Sequence, residues 1–408
     1  MYTPRSCRYS MAIQLFVLTA TVVFPLAPSF QAVGQELTKP AFGKLTYLES
    51  AGSTKLDAVN CITIDKNGKF LYIASWNAGV VSVVLRDPMT GLLSAVQDVV
   101  SPKELDGVTS IRLSNDGMYA VSAAFRIKAA TLFKRDLNSG ILDIVDVARE
   151  GENGVQGLAW AIDAAFSVDG RFVFVADPKG PGLANPNLPK SSGAIVVFEV
   201  DKDRLKWIET NTGEESCFAG VRGIAVSPDG KTLVAACSDA GSVVVMGWDA
   251  NAKKTSIRQV ILDEESKATA LAGAMRAVFS ADGTTLYVSS GRFKGDNAIS
   301  VFRMDEKGLA TFVQQKDDLK DFVGGNQFCL SPDERNLYAA ATRSGSLACF
   351  ERDLKTGELS YIETLSNNDS GFLNGAASVC VSPDGKHVYV TAELNQSIAI
   401  FERNSKMP

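Results

Sequence analysis

Two opposite charges stand in a column of the sequence whose other members are small or polar. The column reads Cys61, Ser110, Asp163, Gly223, Arg276, Gln327 and Ser378, one residue from each copy of a repeated strand. The next residue in each copy, from Ile62 and Ile111 to Phe328 and Val379, is apolar, so by the two-residue period of a strand the column occupies the opposite face. A charge enclosed by strands is costly unless paired, and two arrangements meet that requirement. In the first, Asp163 and Arg276 form an internal ion pair that plugs the space between the strands. In the second, Gly223, with no side chain, leaves a gap for an anionic or polyhydroxylated ligand. Arg222 and Arg276 hold that ligand, Asp163 and Gln327 bound it, and the loop beginning at Asp177 covers it. Hydrolysis at such a site needs a carboxylate as base, for which Asp163 and Glu393 are the candidates.

Most other chemistry is excluded by residue type. The single histidine, His387, aligns with Phe70, Thr232, Thr285 and Asn336 in other copies and reads as a solvated residue at the start of a strand. Without further imidazoles there is no Ser-His-Asp triad and no histidine zinc site. Phosphate-binding glycine loops, CxxC pairs and dinucleotide fingerprints do not occur, so no cofactor and no metal are expected. The carboxylate pairs Asp317/Asp318 and Glu264/Glu265 lie in polar connections and read as solvated faces. A net charge of −5 with no basic run gives no footprint for nucleic acid.

The elements that must position the column are seven copies of one pattern, among them "CITIDKNGKFLYIAS", "GIAVSPDGKTLVAAC" and "SVCVSPDGKHVYVTA". Their turns centre on Gly68, Gly117, Gly170, Gly230, Gly283, Glu334 and Gly385. Asn-Gly and Asp-Gly at these turns accept the positive φ of a tight hairpin. A third strand such as "NAISVFRMD", a turn such as "DLKTG" and a fourth strand such as "GELSYIETL" follow. Trp248-Asp249 falls at the same third-strand-to-turn junction. Four antiparallel strands per repeat without helical periodicity predict an all-β, seven-bladed propeller. The last copy ends after its third strand, while "FGKLTYLES" near the N-terminus matches "TGELSYIET": Gly43 with Gly357, Leu45 with Leu359, Tyr47 with Tyr361, Glu49 with Glu363. The N-terminal strand is therefore expected to complete the seventh blade and close the ring, leaving no open edge. One step, from Gly170 to Gly230, is longer than the others because of "DPKGPGLANPNLPKSSG", residues 177–193, a surface loop or a lid.

Residues 1–34 have the order of an export signal: Arg5 and Arg8, an apolar run, then small residues before Gln35. Gln14 and Pro25 interrupt the run, which favours cleavage over a retained anchor. Residues 35–41 read as a linker, 42–404 as the propeller and 405–408 as a tail, in a monomer that is periplasmic or extracellular with no membrane span after cleavage. Cys61, Cys217, Cys237, Cys329, Cys349 and Cys380 remain after the leader. Those within apolar strands read as buried thiols, while Cys217 and Cys237 fall where they can approach each other.

Repeats of the form "SPDGK…IAIFERN" and "TGELSYIE" resemble the seven-bladed lactonase family, which includes 6-phosphogluconolactonases and muconate-lactonising enzymes, and "YVTAELN" is similar to propellers with Tyr-Val-Thr-Asn repeats. That resemblance implies the fold and, for the family's enzymes, histidines opening the first strands of blades four and five together with a Glu in an Asn-Glu-Leu stretch. Here "FAGVRGIAVSPDG" and "GAMRAVFSADG" hold Arg222 and Arg276 without histidine, Ser290-Gly291 stands where Asn-Glu would, and the Ala392 to Asn395 run lies in blade seven. A platform binding a small ligand or another envelope protein is thus the first expectation. A lactone hydrolase and a purely structural envelope protein stay open as alternatives.

Overall fold

In the computed structural model the described residues are 42–52, 55–180, 193–213, 217–263, 270–291, 296–317 and 319–405. The expected leader, the linker, most of the 177–193 loop and residues 406–408 of the tail lie outside them. Each repeat folds as its turn chemistry dictates. The turn glycines take φ near +70°, as at Gly68 and Gly385, and place two apolar strands antiparallel. In blade 6 this position is Glu334 at φ 60°, and its carboxylate accepts from the Ala281 backbone N–H of the preceding blade at 3.1 Å.

Seven four-stranded antiparallel sheets result: blade 1 spans residues 59–100, blade 2 108–149, blade 3 163–211, blade 4 221–262, blade 5 274–316, blade 6 325–366 and blade 7 376–403. Blade 7 takes its outer strand from Leu45–Gly52, which pairs with Ser397–Arg403 from Leu45 opposite Arg403 to Gly52 opposite Ser397. The match between the two chain ends holds in detail. The Gly43 carbonyl accepts from Tyr338 of blade 6 at 2.9 Å, as the Gly357 carbonyl accepts from Tyr287 of blade 5 at 2.7 Å. Among the described residues no helix is long and apolar enough to cross a membrane.

The core is not at the ring axis. It is divided into seven apolar wedges, each between neighbouring blades, and the inner-strand column from Ile62 to Val379 contributes one residue to each. Cys217 and Cys237 share the wedge between blades 3 and 4. Burial, then the nearby Cys217, pushes the Cys237 thiol well above its ordinary range.

Buried polar brackets join some of the blades across the wedges. Arg86, Arg135, Arg352 and Arg403 end the third strands of blades 1, 2, 6 and 7, and each donates through Nε to a buried tyrosine of the preceding blade: Tyr389, Tyr72, Tyr287 and Tyr338. A turn carboxylate of that preceding blade faces three of the guanidinium groups, at 2.8 Å for Asp384 and Asp333 and 2.6 Å for Asp65, whereas Arg352 faces Glu334 of its own blade at 3.7 Å. Three of these arginines are visible in the sequence as the Arg-Asp that ends a third strand, and Arg403 as Arg-Asn.

One bracket corrects the reading of His387 as solvated. The imidazole is buried, and its Nδ1 accepts from Arg86 Nη2 at 2.7 Å, because the arginine of blade 1 wraps over the start of this strand. Asn336 does the same in blade 6, accepting from Arg403 Nη2 at 2.6 Å. Burial first, and then the Arg86 charge, hold the His387 ring below the ordinary imidazole range. With the folded value below the unfolded one, its contribution to stability is complete above about pH 6.5 and is lost as the pH falls through the folded value. His387→Asn, the choice made in blade 6, should therefore melt close to wild type at about pH 8 and lose less stability than wild type on acidification to about pH 5. Parallel thermal melts at the two pH values check this. An equal acid loss in both proteins would show that the ring does not titrate in that interval.

Candidate functional site

The inner strands Val59–Ile64, Val108–Leu113, Asp163–Phe166, Val221–Val226, Ala274–Phe279, Gly325–Leu330 and Ala376–Val381 surround a central cavity of about 740 Å³. Its lining runs from the polar column to turn residues such as Ser227, Pro228 and Ala281, so it opens on the face of the first-to-second-strand turns. Because each inner strand is the free edge of its sheet, its backbone groups face the cavity and column side chains can bond across to the next blade. The Ser378 hydroxyl accepts from the Ile62 N–H at 3.2 Å and donates to Gln327 Oε1 at 2.5 Å. Asp163 Oδ2 accepts from the Ile224 N–H at 3.3 Å.

Of the expected site residues, the structure brings Asp163, Arg276 and Gln327 together on this cavity. It gives Asp163, 1 % exposed, a partner that the sequence reading passed over: Arg112 Nη2 donates to Asp163 Oδ1 at 3.0 Å. The expected Asp163 to Arg276 pair is not formed, since blade 3 adjoins blade 2 whereas blade 5 lies two blades away. Arg112 follows Ser110 by two residues and so shares its strand face. Its equivalents are Thr63, Ala165, Ala225, Val278, Cys329 and Cys380, and a lone charge in that column was the available signal. Burial alone would lower the Arg112 guanidinium, but the Asp163 carboxylate, with Cys61 adding to it, leaves it raised.

Arg276 is 8 % exposed and has no carboxylate within salt-bridge distance among the described residues. Its Nη1 donates to the carbonyls of Arg222 and, at 3.2 Å, Met275, while Nε has no hydrogen-bond partner. Burial is the largest influence on this guanidinium and draws it below the ordinary arginine range. Attraction from Asp163 opposes the shift and repulsion from Arg112 adds to it. Gln327 Nε2, close by on the same cavity, also lacks a partner. The gap expected at Gly223 is filled by Arg276 itself: a Cβ on Gly223 would lie 2.7 Å from the Met275 carbonyl and 3.0 Å from Arg276 Cδ. Glycine is needed there so that the arginine can pass. Arg222 supplies its carbonyl, and its side chain is not among those lining the cavity.

Asp177 and Glu393 lie at the other end of their blades, where the inner strands begin. Asp177 is fully buried and accepts from the N–H groups of Trp160 at 2.8 Å, Lys179 at 2.7 Å and Gly180 at 3.0 Å, so it staples two loop segments together. Burial outweighs those hydrogen bonds and pushes its carboxyl up to about 6. Glu393 Oε1 accepts from Trp76 Nε1 at 3.0 Å, and burial raises this carboxyl despite that bond. The two candidate bases, Asp163 and Glu393, thus have separate environments and separate partners.

The sequence pattern of the family described as lactonase, 7-bladed beta-propeller, matches residues 39–371. The chain belongs to that lactonase propeller family. Among solved structures, this lactonase-family propeller is similar to a periplasmic gluconolactonase of Pseudomonas aeruginosa, at 21 % identity and a TM-score of 0.60, covering 75 % of this chain and 85 % of that one. It is similar also to a protein from Lactobacillus plantarum, at 19 % identity and a TM-score of 0.58 over 75 % of this chain and 84 % of that one. Hydrazine synthase of Kuenenia stuttgartiensis has 17 % identity and a TM-score of 0.61 over 87 % and 98 %. At such identities the likeness establishes the shared propeller fold alone. No curated protein matches the chain.

Proposed function

We propose that this lactonase-family propeller is a binding protein that takes a small organic anion into its central cavity, with Arg276 as the anchoring cation and Arg112 and Gln327 on its flanks. The observation that carries this reading is the Arg276 guanidinium: an enclosed charge on a cavity wall, satisfied in part by carbonyls and without a carboxylate of its own. An anion supplies what the fold withholds. Hydrolysis is the less favoured use of the site, because Asp163 is held by Arg112 and Glu393 by Trp76, so neither is an unencumbered base. Export, read from residues 1–34, would place the protein with extracytoplasmic organic acids, and its fold neighbour from P. aeruginosa is named as periplasmic.

The test is thermal stabilisation by panels of carboxylates and sugar acids. Wild type should gain several degrees with at least one class. Arg276→Met should keep its stability within about 1 kcal/mol of wild type, since it removes a buried cation that lacks a carboxylate partner, and should lose the ligand-induced shift. If no member of the panels shifts wild type, or if the variant responds equally, the anion reading fails.

A further inference from the structure

The residue that follows the second strand of each blade stands on the rim where the inner strands begin. In blades 4, 5 and 6 it is Ser238, Gly291 and Thr342, so nothing in the propeller geometry calls for a ring there. In blades 1 and 2 it is Trp76 and Phe125, and blade 3 adds Trp160 from the loop that leads into its first strand. The three rings form a continuous arc. Trp76 and Phe125 have centroids 6.0 Å apart at 44°, and Phe125 and Trp160 lie 5.8 Å apart at 24°. Trp160 is 37 % exposed despite its size.

The arc is built, not incidental. The Arg126 guanidinium lies 4.8 Å from the Trp76 ring and 5.5 Å from the Phe125 ring, and is itself fixed by Asp106 at 3.0 Å and Asn77 at 2.9 Å. The Trp160 backbone is anchored by the buried Asp177. One end of the arc carries Glu393, whose Oε1 takes the Trp76 indole N–H and whose Oε2 accepts no hydrogen bond among the described residues. The other end carries the Lys179 ammonium, 5.4 Å from the Trp160 ring and without a carboxylate partner among the described residues. An acceptor and a donor therefore terminate a row of three aromatic faces.

We propose that this rim is a second ligand site, distinct from the cavity that opens on the opposite face, and that it takes a neutral oligosaccharide of two to three pyranose rings. The successive tilts of the rings exclude one flat ligand stacking on all of them. Sugar rings turn about their linkages from unit to unit and can present an apolar C–H face to each aromatic in turn. Their hydroxyls can donate to the unengaged oxygen of Glu393 and accept from Lys179.

Titration with maltotriose, cellotriose and chitotriose, each against its monosaccharide, can be followed by intrinsic fluorescence, since two of the four tryptophans lie in the arc. At least one trisaccharide should change the emission saturably, with its monosaccharide weaker by about tenfold or more. Trp160→Ala should remove the response and Trp160→Phe should restore part of it. Both keep the hydrogen bond to Asp177, which uses the backbone, so folding is preserved. Arg276→Met should bind the trisaccharide as wild type does, separating this site from the channel. A set of trisaccharides that all leave wild type unchanged, or binding that survives undiminished in Trp160→Ala, would overturn the assignment.

Discussion

Asp163→Asn should lower the stability of the ring by about 3 kcal/mol and at the same time tighten the binding of organic anions in the channel. The substitution is isosteric, so it removes charge with little change in packing. Asp163 serves two cavity guanidinium groups: it pairs with Arg112 at 3.0 Å and attracts Arg276 at longer range. Removing one partner from a buried pair typically costs about 3–5 kcal/mol. The Arg112 side chain retains 25 % exposure, and solvent there moves the expectation to the lower end. Denaturant or thermal unfolding gives the first number and ligand titration the second. Stability lost without any gain in anion affinity would mean that the channel charge is purely structural. Stability retained would mean that Arg112 is satisfied elsewhere.

Removing residues 42–50 should have the largest effect of all and act on the whole molecule. Blade 7 would lose the strand paired along Ser397–Arg403, together with the Tyr338 to Gly43 bond and the 3.8 Å stack of Tyr47 on Phe372. At about 1 kcal/mol for each net hydrogen bond, the loss is on the order of 5 kcal/mol before packing is counted. The newly exposed edge of blade 7 would also pair with other chains. Melting temperature and light scattering check both halves of the expectation. A truncated protein that melts with wild type and stays monomeric would place the closure elsewhere.

The architecture was legible because it rests on local rules repeated many times. Asn-Gly and Asp-Gly set the turns, period-two apolar runs set the strands, and the Gly43, Leu45, Tyr47, Glu49 series carried enough of the blade pattern to identify the closing strand. The channel was legible in part. A charge in an otherwise small column stands out, which located Asp163 and Arg276, but their partners depend on which blades touch and how far a side chain reaches. Arg112 reaches sideways to the adjoining blade, a relation absent from any single repeat. His387 misled for the same reason: within its own repeat it starts a strand, and only the Arg86 of the next blade buries it. The aromatic rim joins Trp76, Phe125 and Trp160 from three blades; Trp76 and Phe125 share a position of the repeat, but Trp160 comes from a connecting loop, so no single column shows the arc.

The arginine-tyrosine brackets are unevenly placed around the ring. They close the seams between blades 5 and 6, 6 and 7, 7 and 1, and 1 and 2, and among the described residues none of this type closes the seams from blade 2 to blade 5. Where blade 1 has Arg86, blade 4 has Trp248, set edge-on to Phe172 and Phe174 at 5.0 Å, and its Nε1 makes no hydrogen bond. The seam between blades 2 and 3 is crossed instead by the partly exposed Arg112 to Asp163 pair and that between blades 3 and 4 by the bond from the Ile224 N–H to Asp163, so the molecule resembles a collar with one arc stiffened by repeated buried brackets and one more compliant arc. Arg112, Asp163 and Arg276 stand on blades 2, 3 and 5 of the compliant arc. An anion bridging the two arginines would be its clasp, and occupancy of the cavity would then be felt as stiffness across half the ring.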